Sequence, residues 1–280
     1  MRRVKTPFSV LTERGHSFNF LQVNSFAEGL TFGADITVLA SWMLTPEEVS
    51  ELHRATRQRV VIADCSDPSL LDDVAYRQQI EVASLVTVPN EYLRRVVKSI
   101  NPNTMVAPSC VDLPHFAAAN KIKPDEKQPI TIGCLGPYDW HLVADALEEI
   151  SPSVRILADI RTTQALRGRD LKGIEIELNP YNLPEVIRNC HFGLCPIEGE
   201  SGIDRVWEHE YGSLCRPVIV SHSKEKDTWI AKIEELIRDT KKRAELGQAA
   251  FELANENRAT KRAGEYLSIY RKRLPHLFLR

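Results

Sequence analysis

Short apolar runs rich in β-branched residues alternate with longer segments of helical period along most of the chain. In the first half the runs are Asp35 to Ala40 (DITVLA), Arg59 to Ala63 (RVVIA), Leu85 to Val88 (LVTV) and the short Met105 to Ala107. Helical period fills the gaps at Pro46 to Thr56, Asp72 to Ala83 and Asn90 to Ile100, with Thr45 in position to cap the first of these. Strand, helix, strand, helix in this order predicts a parallel sheet covered on both faces.

Around Ala118 to Gln128 the composition turns polar (AANKIKPDEKQ), which predicts a linker. The pattern then restarts. Strand-like runs follow at Ile130 to Leu135, Val154 to Ala158, Ile174 to Leu178, Phe192 to Cys195 and Pro217 to Ser221, with helices over His141 to Ile150 and Pro184 to Asn189. From Asp227 to near Arg273 the sequence reads as helix. The expected fold is therefore α/β, with two Rossmann-like doubly wound domains facing a cleft and a shortened N-terminal one. The boundary falls between residues 1–120 and 121–280, and the closing helices belong to the second domain. Open parallel sheets bind ligands at the carboxyl ends of their strands, so the strand exits are where chemistry is expected.

Composition adds little to this picture. Hydrophobic residues make up 43% and charged residues 26% of the 280, as in ordinary soluble domains. The net charge of −2 gives no general case for nucleic acid or an acidic membrane, but it is unevenly spread. From Lys241 to Arg280 ten Lys/Arg face four Glu, leaving that stretch at +6 and the remainder at −8. Such a tail is a solvated helix face or an anionic contact. No run approaches the roughly 20 apolar residues of a membrane span, and the N-terminus lacks a signal-peptide core. Cys65, Cys110, Cys134, Cys190, Cys195 and Cys215 form no CxxC pair and sit mostly in apolar runs, which predicts reduced core thiols in a cytoplasmic protein. The P-loop, GxGxxG and HExxH patterns and a Ser/His/Asp ordering are absent, so NTPase, dehydrogenase, metalloprotease and hydrolase readings lose their usual support.

Several segments resemble, in the right order, the retaining, nucleotide-sugar-using glycosyltransferases of the GT-B fold. They are VVIADCSDPSLLDD, ASLVTVPNEYLRRVV and APSCVDLPHF in the first half, then ITIGCLGPYDWHLVADALEEI, HFGLCPIEGESG with EHEYGSLCRPVIVS, and the helical IEELIRDTKKRAELGQAAFELANEN. The resemblance covers roughly residues 55 to 270 and is most specific over Phe192 to Ser221. It implies sugar transfer from a nucleotide-diphosphate sugar to a glycan, a lipid-linked glycan or a modified DNA base, without cofactor or bound metal. The location expected from the reduced thiols and the basic tail is cytoplasmic or peripheral to a membrane. A non-catalytic nucleotide-sugar binding module, or another chemistry of this fold such as sugar epimerisation, is the alternative.

By the same resemblance Glu210, seven residues before Pro217, is the ribose ligand, and Glu200, after Pro196, meets the donor sugar as the catalytic carboxylate. A carboxylate suits a ribose because two hydroxyls can donate to its two oxygens. The family's Glu-x7-Glu spacing is met by Glu200 with Glu208, whereas Glu200 with Glu210 meets the flanking residues, so the partner of Glu200 stays open. Gly136 sits where a strand turns toward a helix and backbone can approach a phosphate. The Arg and Lys that usually follow this glycine are replaced by Pro137, Tyr138, Asp139, Trp140 and His141, leaving Arg205, His141 and Arg161 as substitutes. Asp64 and Asp67 are read as lining the cleft or capping a loop, not as metal ligands.

Overall fold

The computed structural model describes residues 36–40, 44–117, 129–136, 138–172, 174–176, 183–198, 206–273 and 275. The chain divides into two compact units. One is built from residues up to Cys110 and from Ala259 onward; the other comprises the described residues from Val111 to Arg258, and the proposed linker segment 118–128 lies outside those described.

The first unit carries four parallel strands among its described residues: β1 (Ile36–Ala40), β2 (Val60–Asp64), β3 (Leu85–Val88) and β4 (Thr104–Val106), hydrogen-bonded in sequence order. Helices α1 (Pro46–Ala55), α2 (Val74–Val82) and α3 (Glu91–Val97) make the crossovers. Thr45 caps α1 in a full capping box: Glu48 N–H donates to the Thr45 hydroxyl at 3.3 Å and Thr45 N–H to the Glu48 carboxylate at 2.8 Å. Asp73 and Asn90 cap α2 and α3 in the same side-chain-to-backbone manner.

Strand alternation divides the core. Val61 and Ala63 of β2 face the crossover helices, packing with Leu52 of α1 and Tyr76 and Ile80 of α2. Val60 and Ile62 face the other way, and there they meet Ala263, Tyr266, Leu267 and Tyr270 of the last helix, α11 (Ala259–Arg273). The Tyr266 hydroxyl donates to the carbonyl of Pro108 at 3.1 Å. This last helix is thus core to the first unit, where the sequence pattern placed it with the second. The reason is physical: amphipathic period shows that a helix buries one face but not which sheet receives it.

In the second unit the short α4 (Leu113–Ala117) precedes β5 (Thr131–Cys134), followed by α5 (Ala144–Ile150), β6 (Arg155–Ala158), α6 (Ile160–Ala165), β7 (Ile174–Ile176), α7 (Leu183–Arg188), β8 (Phe192–Pro196), α8 (Val206–Gly212) and β9 (Val218–Ser221). The five strands are parallel, in the order β7-β6-β5-β8-β9. The direction of winding therefore reverses between β5 and β8, and the carboxyl ends flanking such a reversal are where open α/β sheets place a ligand crevice. The single helix expected from Asp227 to near Arg273 is three elements here, α9 (Lys226–Arg238), α10 (Thr240–Glu256) and α11. Asp239 makes the break by capping α10, its carboxylate accepting from Lys242 N–H at 2.8 Å. Arg243, only 5% exposed, then donates to the Ile237 carbonyl at 3.0 Å, so this member of the basic stretch is structural.

Candidate functional site

The strand exits around the β5/β8 reversal are laced together. Beyond β5 the chain turns at Gly136, whose φ of +105° favours glycine. Its N–H donates to Asp159 Oδ2 at 2.9 Å, and its carbonyl accepts from the Trp140 indole at 3.0 Å. Asp159 also caps α6, with Oδ1 accepting from Thr162 N–H at 2.8 Å. One carboxylate beyond β6 therefore holds the β5 turn and starts a helix. Tyr138 is buried and meets Trp140 edge-on at 6.0 Å, which makes it part of the wall beneath this turn.

The β8 exit is tied to the β5 exit by two bonds. Asp139 N–H donates to the Pro196 carbonyl at 3.0 Å, and Glu198 N–H donates to Asp139 Oδ2 at 2.7 Å. The β9 exit joins them: Ile197 N–H donates to the Ser221 carbonyl at 3.1 Å, and His222 Nδ1 lies 2.8 Å from the Ile197 carbonyl. Lys232 of α9 donates to the Ser221 hydroxyl at 2.8 Å. The Glu198 carboxylate receives Lys224 on one oxygen and stands 3.6 Å from His141 Nε2 on the other. The hydrogen bond from Lys224, then its charge, hold the Glu198 carboxyl below its ordinary range.

Helix α8 lies against the same strands. The Trp207 indole covers Gly136: a Cβ there would lie 2.9 Å from Trp207 Nε1. One turn on, the buried Tyr211 ring fills the space left by Gly133 of β5 and Gly193 of β8. Glu210 stands between these two aromatic anchors in sequence and is 3% exposed; Glu208 is buried too. Gly136 and the helix carrying Glu210 are thus brought together through Trp207. Cys134, Cys190 and Cys195 surround the Tyr211 ring as free thiols, and burial pushes Cys190 up to about 12 and Cys134 well above its usual value. Such thiols are neutral and inert.

Of the residues singled out from sequence, Gly136, Tyr138, His141 and Pro196 lie at the exits of β5 and β8, and Glu210 lies on α8, whose Trp207 covers Gly136. Glu200 and Arg205 lie outside the described residues. Arg161 opens α6 beside Asp159 and is exposed. Asp64 and Asp67 belong to the first unit. Asp64 Oδ1 accepts from the Thr87 hydroxyl at 2.7 Å, across the β2/β3 register, and Asp67 accepts from Ser69 N–H at 2.9 Å, capping a single 3-10 turn. Among the described residues no group of three or more His, Cys, Asp or Glu could hold a metal ion, and no helix is long and apolar enough to cross a membrane. Sequence reasoning missed Asp159, Glu198, Trp207, Lys224 and Lys232. Only Asp159 carried a readable signal, an acidic cap three residues before Thr162.

No protein-family model matches the chain, and no curated protein matches it in sequence. The likeness is structural. A trehalose-6-phosphate synthase, OtsA, is similar over 87% of this chain and 74% of its own, at TM-score 0.63 and 12% identity. An α-glucosyltransferase in complex with UDP-glucose and DNA containing an abasic site is similar over 87% and 82%, at TM-score 0.61 and 11% identity. A UDP-GlcNAc 2-epimerase from Neisseria meningitidis bound to UDP-GlcNAc is similar over 95% and 80%, at TM-score 0.51 and 11% identity. The fold is that of the GT-B glycosyltransferases.

Proposed function

We propose that the chain transfers a sugar from a nucleotide-diphosphate sugar to an acceptor, binding the donor at the β5/β8 crevice of the second unit. The observation that carries this reading is the strand order β7-β6-β5-β8-β9, which opens that crevice beside the helix bearing Glu210. The structural likeness to glycosyltransferases supports it, as fold-level analogy does. Glu210 is assigned the ribose, Glu200 the donor sugar at the reacting carbon, and the Gly136 turn the wall near the diphosphate. The reaction is read as retaining and metal-independent. The acceptor is a glycan, a lipid-linked glycan or a modified DNA base, and the working place is the cytoplasm or the periphery of a membrane.

A second reading has its own observation. Tyr138, Asp139, Trp140 and His141 replace the cations expected after Gly136, and the Gly136 N–H is already bound to Asp159. Both features suit a module that binds a nucleotide sugar without transferring it.

Thermal-shift titration with UDP-, GDP-, ADP- and TDP-sugars tests the shared part, since a ligand that binds only the folded state raises Tm by mass action. One class of donor should stabilise the protein, and Glu210→Ala should remove the shift. An undiminished shift in Glu210→Ala would refute the ribose role. Slow release of free sugar from the donor marks the transferase; binding without hydrolysis marks the module.

A further inference from the structure

Glu198, His141 and Lys224 come from three different loops, yet they meet at one point. His141 follows β5, Glu198 follows β8 and Lys224 follows β9, so the reversal of strand order is what assembles them. Lys224 and His141 do not share one oxygen: Lys224 takes Oε1 and His141 faces Oε2 at 3.6 Å. All three side chains are largely exposed, at 70%, 64% and 46% for Lys224, His141 and Glu198. An exposed ion pair adds little to folding, so the cluster is poorly explained as a brace and is easily opened.

The backbone beneath it is firm by contrast. Glu198 N–H is held by Asp139, the Ile197 carbonyl by His222, and the Ser223 carbonyl by the Trp229 indole at 2.9 Å. Firm loops present exposed side chains. An ammonium and an imidazole Nε2 set on either side of a planar, two-oxygen anion are also spaced for two oxygens of a phosphoryl group, whose separation is similar.

We propose that Lys224 and His141 are the diphosphate clamp of the donor site, and that Glu198 occupies this clamp until the donor displaces it. The proposal rests on the donor reading above and supplies what the loop after Gly136 lacks. It adds Lys224 as a binding residue and makes Glu198 a built-in competitor that sets affinity. A neutral ligand gains nothing by displacing Glu198, whereas a diphosphate brings more negative charge than the carboxylate it replaces.

The test is calorimetric titration of the full chain with UDP, GDP, ADP and TDP, comparing wild type with Lys224→Gln, Glu198→Gln and Glu210→Ala. Lys224→Gln is expected to weaken binding of the preferred nucleotide on the order of tenfold, as loss of a charge-assisted hydrogen bond does. Glu198→Gln is expected to tighten it several-fold, because the competitor loses its charge. The salt dependence of binding should be shallower in Lys224→Gln than in wild type. Wild-type affinity in Lys224→Gln, or weaker binding in Glu198→Gln, overturns the clamp while leaving the donor site standing if Glu210→Ala still abolishes binding. Failure of all four nucleotides to bind the wild type overturns both.

Discussion

Trp207 lies over Gly136 so closely that a methyl group on the glycine would meet the indole nitrogen at 2.9 Å, and the glycine itself is held at φ +105°. Two separate effects therefore oppose any side chain at this turn. Gly136→Ala is expected to destabilise the fold by about 1–3 kcal/mol, from backbone strain together with steric overlap. Trp207→Ala in the same chain should recover the overlap and not the strain. Urea unfolding of the two single variants and the double variant measures the division; strictly additive losses would mean the indole does not press on this turn.

Asp159 does two jobs with two oxygens, accepting Gly136 N–H at 2.9 Å and Thr162 N–H at 2.8 Å. Asp159→Ala should cost about 1–3 kcal/mol, since a helix cap is lost and a part-buried donor is left without its partner. Asp159→Asn keeps one acceptor and turns an amide toward the other donor, so its loss should fall between. Amide exchange distinguishes the sites: Gly136 N–H should exchange faster in Asp159→Ala, and unchanged protection there would contradict the tie.

Tyr211 is seated where β5 and β8 present glycines. A Cβ on Gly193 would stand 2.7 Å from the ring carbon bearing the hydroxyl. Gly193→Ala is expected to destabilise by about 1–3 kcal/mol in the wild-type background. In a Tyr211→Ala background, where the ring is gone, the same change should cost much less, even though Tyr211→Ala alone is severe. A double-mutant cycle by denaturant unfolding reads the coupling directly. Equal losses in both backgrounds would show that the ring does not define this face of the sheet.

How much of this was written in the sequence depends on the range of the interaction. Runs such as VVIA and LVTV announce buried strands by themselves, and β2 and β3 lie within a residue of those limits. Thr45 and Glu48 announce a helix start three residues apart, and the capping box is there. Helix α6 escaped notice because IRTTQA is short, with two β-branched threonines and little apolar period. The break at Asp239 was hidden inside a continuous helical pattern, where one polar residue looks like surface. The destination of α11 was illegible for a different reason: Tyr266 and Tyr270 mark a buried face without naming the sheet that buries it. The Glu198 cluster lay furthest from view. Its three side chains are up to 83 residues apart (141 to 224), and only the strand order makes them neighbours.

The thiols beneath Tyr211 should govern alkaline stability. Burial pushes Cys190 from 9.0 up to about 12 and holds Cys134 well above that ordinary value. A group whose pKa is raised on folding stabilises fully below its unfolded pKa and loses that contribution as pH rises toward the folded one. Stability is thus expected to decline from about pH 9 upward, as unfolded-state thiols ionise and native ones do not. Urea midpoints at pH 8 and pH 10.5 check this, and the decline should be smaller in Cys190→Ala. In the native state at pH 8 an aromatic disulfide reagent should leave Cys134, Cys190 and Cys195 unmodified; rapid reaction would mean that the sheet opens readily.

Glu198 titrates on the opposite side of neutrality. Its carboxyl is held low first by the hydrogen bond from Lys224, then by that ammonium's charge, and last by His141. For a carboxylate with a depressed pKa, the favourable contact is complete above the unfolded pKa and is lost as pH falls through the folded value. The contact should therefore persist through neutral pH and fail only in acid, below the usual carboxylate range. Carbon-detected NMR of the Glu198 side chain should show a midpoint below that of a free glutamate. Lys224→Gln should move it upward by more than His141→Gln does, because the nearer, hydrogen-bonded cation dominates. If His141→Gln had the larger effect, the ammonium would not be the principal partner. Added salt should raise the Glu198 midpoint toward the ordinary value, since exposed charges are screened at about 10 Å in 0.1 M salt.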